Sequence, residues 1–283
     1  MTVTAGMAAL STVDASPTTV EAAPAVVDAA GPTPGARPGE AAAAVLLVAH
    51  GSRDPRAAQA TRALARAVAV ARPQGPVSVA YLDHAQPPVP HALVRLAATG
   101  YRHAVVVPLL LTAAYHGRVD LPVVLARVRA AGLPLRVSLT EVLGAQGLAV
   151  DALLIVALRR RLGQLRRPYD ALVLAAAGTR DAAARESVAA VATTLGTAAG
   201  VRCLPAYAAA AGPTPGEAVR QLRAGGARRV AVASYFLAPG LLYDRAAASA
   251  QGGGAVGVAA PLGAAPELAW LVVARVSATA RRA

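Results

Sequence analysis

Residues 45–57 read VLLVAHGSRDPRA, and residues 172–184 read LVLAAAGTRDAAA. Each is a short apolar run, a Gly turn, an Arg-Asp pair and then a helical pattern. Val45 to Ala49 is too short for a helix and ends in His50-Gly51-Ser52. From Pro55 to about Ala71, Ala, Leu and Val interleave with Arg56, Arg62 and Arg66 at helical spacing. Asp54-Pro55 reads as a helix start, with Asp at the N-cap and Pro at the first helical position. A strand feeding a helix through a tight turn is the first half of a βαβ unit.

Working outward, Val77 to Leu82, Ala104 to Leu111 and Leu135 to Leu139 read as further strands. Val89 to Ala98, Leu121 to Ala130 and Gly147 to Leu162 read as helices, and Asp120-Leu121-Pro122 as a second helix start. The run AVVVPLLL suits a strand covered on both faces, as in a parallel sheet. The series then repeats. GYRHAVVVPLLL at 100–111 matches GARRVAVASYFL at 226–237, and EVLGAQGLA at 141–149 resembles APLGAAPELA at 260–269. The expected fold is α/β: two tandem flavodoxin-like units, each a four-stranded parallel sheet with helices on both faces. The expected domains are 41–165 and 166–283, joined near Gln164 to Pro168.

Composition narrows the function. The 283 residues carry a net charge of +13, and every basic side chain is Arg. Residues 1–40 are Ala, Pro, Thr and Gly with Pro17, Pro24, Pro32, Pro34 and Pro38 among them. They are expected to form a disordered tail. The tail's four acids and single Arg leave +16 on the remainder. The lone Cys203 excludes an internal disulfide and a cysteine-cluster metal site. Mean hydropathy is +0.47, but the longest apolar stretch, Ala104 to Tyr115, contains Pro108. It falls well short of the roughly 20 residues a membrane span needs. With no basic, apolar leader pattern at residues 1–40, the expected compartment is the cytoplasm.

Three polar residues fall where a parallel sheet binds ligands. His50 closes the first strand, Asp83 closes the second, and His116 lies just past the third. In the common order 2-1-3-4 these strand ends converge on one rim, at the point where strand order reverses. Two imidazoles and a carboxylate there suit a borderline divalent metal. All five histidines lie in the first copy. His50 aligns with Ala177, Asp83 with about Ala208, and His116 with Leu241 or Tyr243. A single His beside a strand is more often a hydrogen-bonded structural group, and His84, His91 and His103 keep that reading. Gly51-Ser52 could face an anion at a helix N-terminus. The dinucleotide and phosphate-loop glycine patterns are absent, however, and so is the Gly-x-Ser-x-Gly elbow.

The stretches AHGSRDPRA, AYLDHAQPPVPHAL and VVVPLLLTAAYHGRVDLP resemble the class II chelatases that act on sirohydrochlorin. The resemblance covers residues 44 to about 162, and the degenerate copy from about 168 looks like the long, two-domain members. It implies insertion of Fe²⁺ or Co²⁺ into sirohydrochlorin, for sirohaem or cobalamin. By position His50 and His116 would be the catalytic, metal-binding histidines, with Asp83 as a third ligand where the family commonly has Glu. Asp shortens that reach, and Ala114-Tyr115-His116 stands where Gly-x-His is common. No cofactor beyond the metal is implied, and no ATP site is visible. A His would accept the pyrrole protons, and activity would fall as the histidines protonate below about pH 6.5. Ser52, Arg53 and Arg118, with Arg180 and Arg245 on the second copy, would meet an acidic tetrapyrrole with eight carboxylates. Two fused copies would make the chain a monomeric pseudo-dimer. A non-catalytic metal or tetrapyrrole carrier of the same fold is the alternative. With 3% aromatic residues and no recognition motif, nucleic acid is not an expected partner.

Overall fold

The computed structural model describes residues 43–112 and 121–281. The expected disordered tail, His116, Arg118 and Asp120 lie outside the described residues. The AVLLVA run forms β1 (Ala44–Ala49), buried along almost its whole length. β1 pairs in parallel with β2 (Val77–Tyr81) on one side and β3 (His103–Pro108) on the other, and β3 pairs with β4 (Arg136–Leu139). The order is β2-β1-β3-β4. Three helices connect these strands: α1 (Pro55–Ala71), α2 (Val89–Ala98) and α3 (Leu121–Ala130).

The second half repeats the plan. Its strands are β5 (Ala171–Ala176), β6 (Arg202–Tyr207), β7 (Val230–Tyr235) and β8 (Gly257–Val258), ordered β6-β5-β7-β8 and parallel throughout. Its connecting helices are α5 (Ala182–Ala199), α6 (Pro215–Ala224) and α7 (Leu241–Gly252). The chain therefore has the expected architecture of two four-stranded parallel sheets with helices on both faces. The shared Arg-Asp turn does the same work twice: Asp54 caps α1 and Asp181 caps α5, each accepting from a backbone N–H of the first turn.

Strand alternation decides what each face meets. Ala44, Leu46 and Val48 turn outward onto α2 and α3, whereas Val45 and Leu47 turn inward. The inward side chains of both sheets join one continuous core: Val45, Leu47, Val105 and Val107 from the first, with Leu172, Leu174, Ala231 and Ala233 from the second. Between the sheets lie four helices, and the last of each half is exchanged. α4 (Ala152–Leu162), which precedes residue 165, packs on β7 and α5 of the second half. α8 (Pro266–Ala280) returns to pack on β3 and α1 of the first.

The two exchanged helices also pack on each other. Leu154, Leu158 and Leu162 of α4 and Leu268, Leu271 and Val272 of α8 are at most 1% exposed. At roughly 1.5–3 kcal/mol for each such side chain, their burial amounts to on the order of 10 kcal/mol. The ion pair of Arg160 with Glu267, Arg160 being half exposed, is worth far less and serves to orient the pair.

The structure places some sequence details differently, and β3 ends at Pro108, not Leu111. α4 begins at Ala152, not Gly147: Gln146 and Ala149 exchange backbone hydrogen bonds in a turn with Gly147 at φ +60°, and Asp151 then caps the helix. Asp83 corresponds to Ala209, not Ala208. Asp83 donates its N–H to the His50 carbonyl at 2.8 Å, and Ala209 donates to the Ala177 carbonyl at 3.0 Å.

Candidate functional site

The site is built on the turn after β1. Leaving the sheet, the chain passes His50 and reverses at Gly51, whose φ is +96°. A Cβ on Gly51 would stand 1.7 Å from the Asp83 carbonyl oxygen, so no side chain fits there. This close approach and the hydrogen bond from Asp83 fasten the end of β2 against the rim. Gly178 repeats the device, with φ +98° and the Ala209 carbonyl oxygen 1.8 Å from its would-be Cβ. The glycine is thus required by the fold in both halves. What distinguishes the first rim is the residue before it, His50 in place of Ala177.

His50 is half-buried, with its Nδ1 fully enclosed. Asp83 sits beside it on the backbone but is exposed, and its carboxylate faces its own neighbour. One oxygen accepts from the His84 N–H at 2.7 Å, and the other lies 3.3 Å from His84 Nε2. The His84 ring stands edge-on to that of His50, with centroids 6.3 Å apart. Sequence reasoning left His84 among the structural histidines; the structure brings it to the rim. The signal was not local. His84 takes φ +58° in a loop whose counterpart in the second half puts Ala210 at φ +63°, so the fold imposes the backbone that sets the exposed ring beside His50.

Of the expected metal set, His50 and Asp83 therefore share one rim, and His116 lies outside the described residues. Among the described residues, no three of His, Cys, Asp or Glu are grouped so as to hold a metal ion. Ser52 is half-buried, and its hydroxyl oxygen accepts from the Asp54 N–H at 3.1 Å, leaving its own O–H to donate. Arg53 is exposed beside it, as is Arg180 on the second rim. Arg245 is exposed on α7, next to Asp244. His91 is exposed on α2, and His103 lies at the opposite end of the sheet, against Ser138 and Arg136.

The second half walls the site. Leu237, Ala238 and Gly263 line a recess of about 150 Å³ that includes His50 and Ser52. Arg56, two residues past the α1 cap, pairs with Asp54 and reaches across to Asp244 on the first turn of α7. Tyr235 of β7 donates its hydroxyl to the Leu111 carbonyl at 2.9 Å, tying the second sheet to the chain that leaves β3. None of these contributions was legible as function in the sequence. They come from strand ends more than a hundred residues away. The rim is thus open to solvent, carries two imidazoles and a carboxylate from the first half, and is walled by residues of the second.

Known proteins resemble this chain over most of its described length. A family model described as CbiX matches residues 44–159 and again 171–279. The sirohydrochlorin ferrochelatase of Bacillus subtilis (strain 168) is 26% identical over 204 residues, 71% of this chain and 76% of that protein. The structure of SirB from Bacillus subtilis with Fe³⁺ superposes with a TM-score of 0.72 at 24% identity, covering 84% of this chain and 95% of SirB. The sirohydrochlorin chelatase SirB from Bacillus subtilis subspecies spizizenii, in complex with cobalt, gives 0.70 at 22% identity with the same coverage. These two likenesses concern the fold.

Proposed function

The chain belongs to the CbiX family, and on that premise we propose that it is a sirohydrochlorin chelatase. It inserts a divalent metal, Fe²⁺ or Co²⁺, into sirohydrochlorin, and so serves sirohaem or cobalamin biosynthesis. The observation that carries the reading is His50. It stands at the strand-order reversal of the first sheet, on the same glycine turn that in the second half bears Ala177. The named relative supports the substrate and reaction.

In this reading the metal is a substrate, held by His50, Asp83 and His116 on ligands that can let go. Insertion releases two protons from pyrrole N–H groups, and His50 and His116 are the acceptors in their neutral form. Metal and macrocycle held together need no external energy source, so the reaction runs without ATP. The Ser52 O–H, Arg53 and Arg118 meet carboxylates of the macrocycle, and Arg supplies bidentate geometry for them. No cofactor beyond the metal takes part. The protein acts in the cytoplasm as a monomer, its second half standing where a partner subunit otherwise would.

The test is an anaerobic absorbance assay of the purified chain with sirohydrochlorin, adding Fe²⁺ and Co²⁺ in turn without nucleotide. Catalysed conversion of the macrocycle spectrum supports the chelatase, and the two rates give its metal preference. A macrocycle that is bound but never converted moves the chain to the alternative, a metal or tetrapyrrole carrier.

A further inference from the structure

The mechanism above leaves one buried group in the cleft unused. Tyr81, the last residue of β2, is 2% exposed, and its hydroxyl is buried with no hydrogen-bond partner. It lines the recess beside His50, under the first turns of α1. Thr61, which lines the same recess, donates its hydroxyl to the Ala57 carbonyl at 3.0 Å, and the Thr61 oxygen and the Arg62 side chain stand near the Tyr81 hydroxyl without closing a well-formed hydrogen bond to it. A buried donor left unpaired is costly, so a hydroxyl held this way marks a place for something that accepts a hydrogen bond.

The second half shows the same position put to another use. Tyr207 corresponds to Tyr81, and its hydroxyl reaches the Arg185 carbonyl at 3.5 Å. The Arg185 guanidinium folds back onto the Thr179 and Arg180 carbonyls, spanning the rim. Its counterpart in α1 is Ala58, which lines the recess and leaves it open. The half that bears the histidine therefore has both a buried hydroxyl without a well-formed hydrogen bond and a vacated mouth.

We propose that this recess receives one carboxylate-bearing arm of the macrocycle, and that the Tyr81 hydroxyl is the donor that anchors it. The inference rests on the chelatase reading and deepens it. About 150 Å³ is too small for a four-ring macrocycle and large enough for an acidic side chain of a few heavy atoms. Its Ala walls suit the methylene linker, and Ser52 and Tyr81 line it beside them. Burial raises the phenol above its ordinary value, with the Arg62 charge and the neighbouring Thr61 and Arg62 side chains offsetting part of the rise, so Tyr81 keeps its proton and has it to donate at neutral pH. The arm fixes the ring's position relative to His50, which makes Tyr81 a positioning residue for the macrocycle.

The test compares wild type, Tyr81→Phe and Ala58→Leu. Each is titrated without metal against sirohydrochlorin and against its octamethyl ester, and then assayed for insertion. Tyr81→Phe should bind the free acid about tenfold more weakly, the effect expected for one hydrogen bond to a charged group. It should bind the ester like wild type. The KM for the macrocycle should rise with kcat and the metal dependence unchanged, as for lost uniform binding. Ala58→Leu, which fills the recess but keeps the hydroxyl, should also weaken binding of the acid. Free-acid binding by Tyr81→Phe equal to wild type would overturn the inference, as would equal losses for acid and ester. In either case, a wild type that still inserts metal leaves the chelatase reading standing. A wild type that binds neither form overturns both.

Discussion

The His84 ring stands edge-on to His50, 6.3 Å between centroids, while its Nε2 lies 3.3 Å from the carboxylate of Asp83. His84 thus holds the Asp83 carboxylate beside the rim that bears His50. If Asp83 serves the metal, His84 orients it, and such supporting partners are typically worth about 10–100-fold in metal affinity. His84→Ala should raise the KM for Co²⁺ by roughly tenfold with little change in kcat. Asp83→Ala should raise it at least as far, and macrocycle binding should survive both. Metal titrations of the insertion rate check this, and an unchanged metal dependence in both variants would remove Asp83 from the ligand set.

The two rim glycines separate folding from chemistry. Gly51→Ala and Gly178→Ala each force a Cβ onto a backbone carbonyl at positive φ. Each should destabilise the chain by roughly 3 kcal/mol or more. In a protein of this size that lowers Tm by about 6–12 °C. Thermal melts should show similar losses for both. At a temperature where both remain folded, only Gly51→Ala should lose most of its insertion rate, because only that turn carries His50.

Acid should weaken the fold independently of catalysis. Burial, with the Arg136 guanidinium beside it, holds His103 below its ordinary value. Its Nδ1 faces Arg136 and its Nε2 faces Ser138, an arrangement that suits the neutral ring. Since the folded-state pKa lies below the unfolded one, the stabilisation is complete above about pH 6.5 and is lost as pH falls through and below that value. His103→Gln should flatten the decline of Tm between pH 7 and pH 5.5. It should leave the acid limb of the insertion rate, measured over short times, in place. A His103→Gln variant whose rate becomes independent of pH would assign the acid limb to folding.

Exchange of the last helices makes each half dependent on the other. Residues 41–165 alone would leave β3 without α8 and α4 without β7. That fragment should fail to behave as a folded monomer, and co-expression with residues 166–283 should restore a soluble complex with activity. Size-exclusion chromatography and circular dichroism of the fragment decide it; a stable, active monomer would show that α4 can fold back onto its own sheet.

The fold was legible because its deciding signals are local. VLLVAHGSRDP and LVLAAAGTRD each contain a buried strand, an obligatory glycine and an Asp cap, and all three behave in the structure as their chemistry dictates. The helix exchange left no such mark, because the apolar faces of α4 and α8 fit either sheet and only the chain path selects between them. The one-residue error at Asp83 arose in the run Ala208 to Ala211, where identical side chains carry no register. The placing of His50 and Asp83 on one rim was legible from strand ends alone. His84, Tyr81 and the wall formed by Leu237 and Asp244 were not, since a left-handed loop residue, an unpaired hydroxyl and an inter-half contact exist only once the chain has folded.

The central claim is that His50 on the first rim carries metal insertion, and its most direct test is the anaerobic Co²⁺ insertion rate of His50→Ala against wild type. The account predicts that the variant keeps the wild-type Tm and still binds sirohydrochlorin, yet loses at least about a hundredfold in rate, the scale of a positioned proton acceptor. A folded His50→Ala protein converting the macrocycle at near wild-type rate would contradict it.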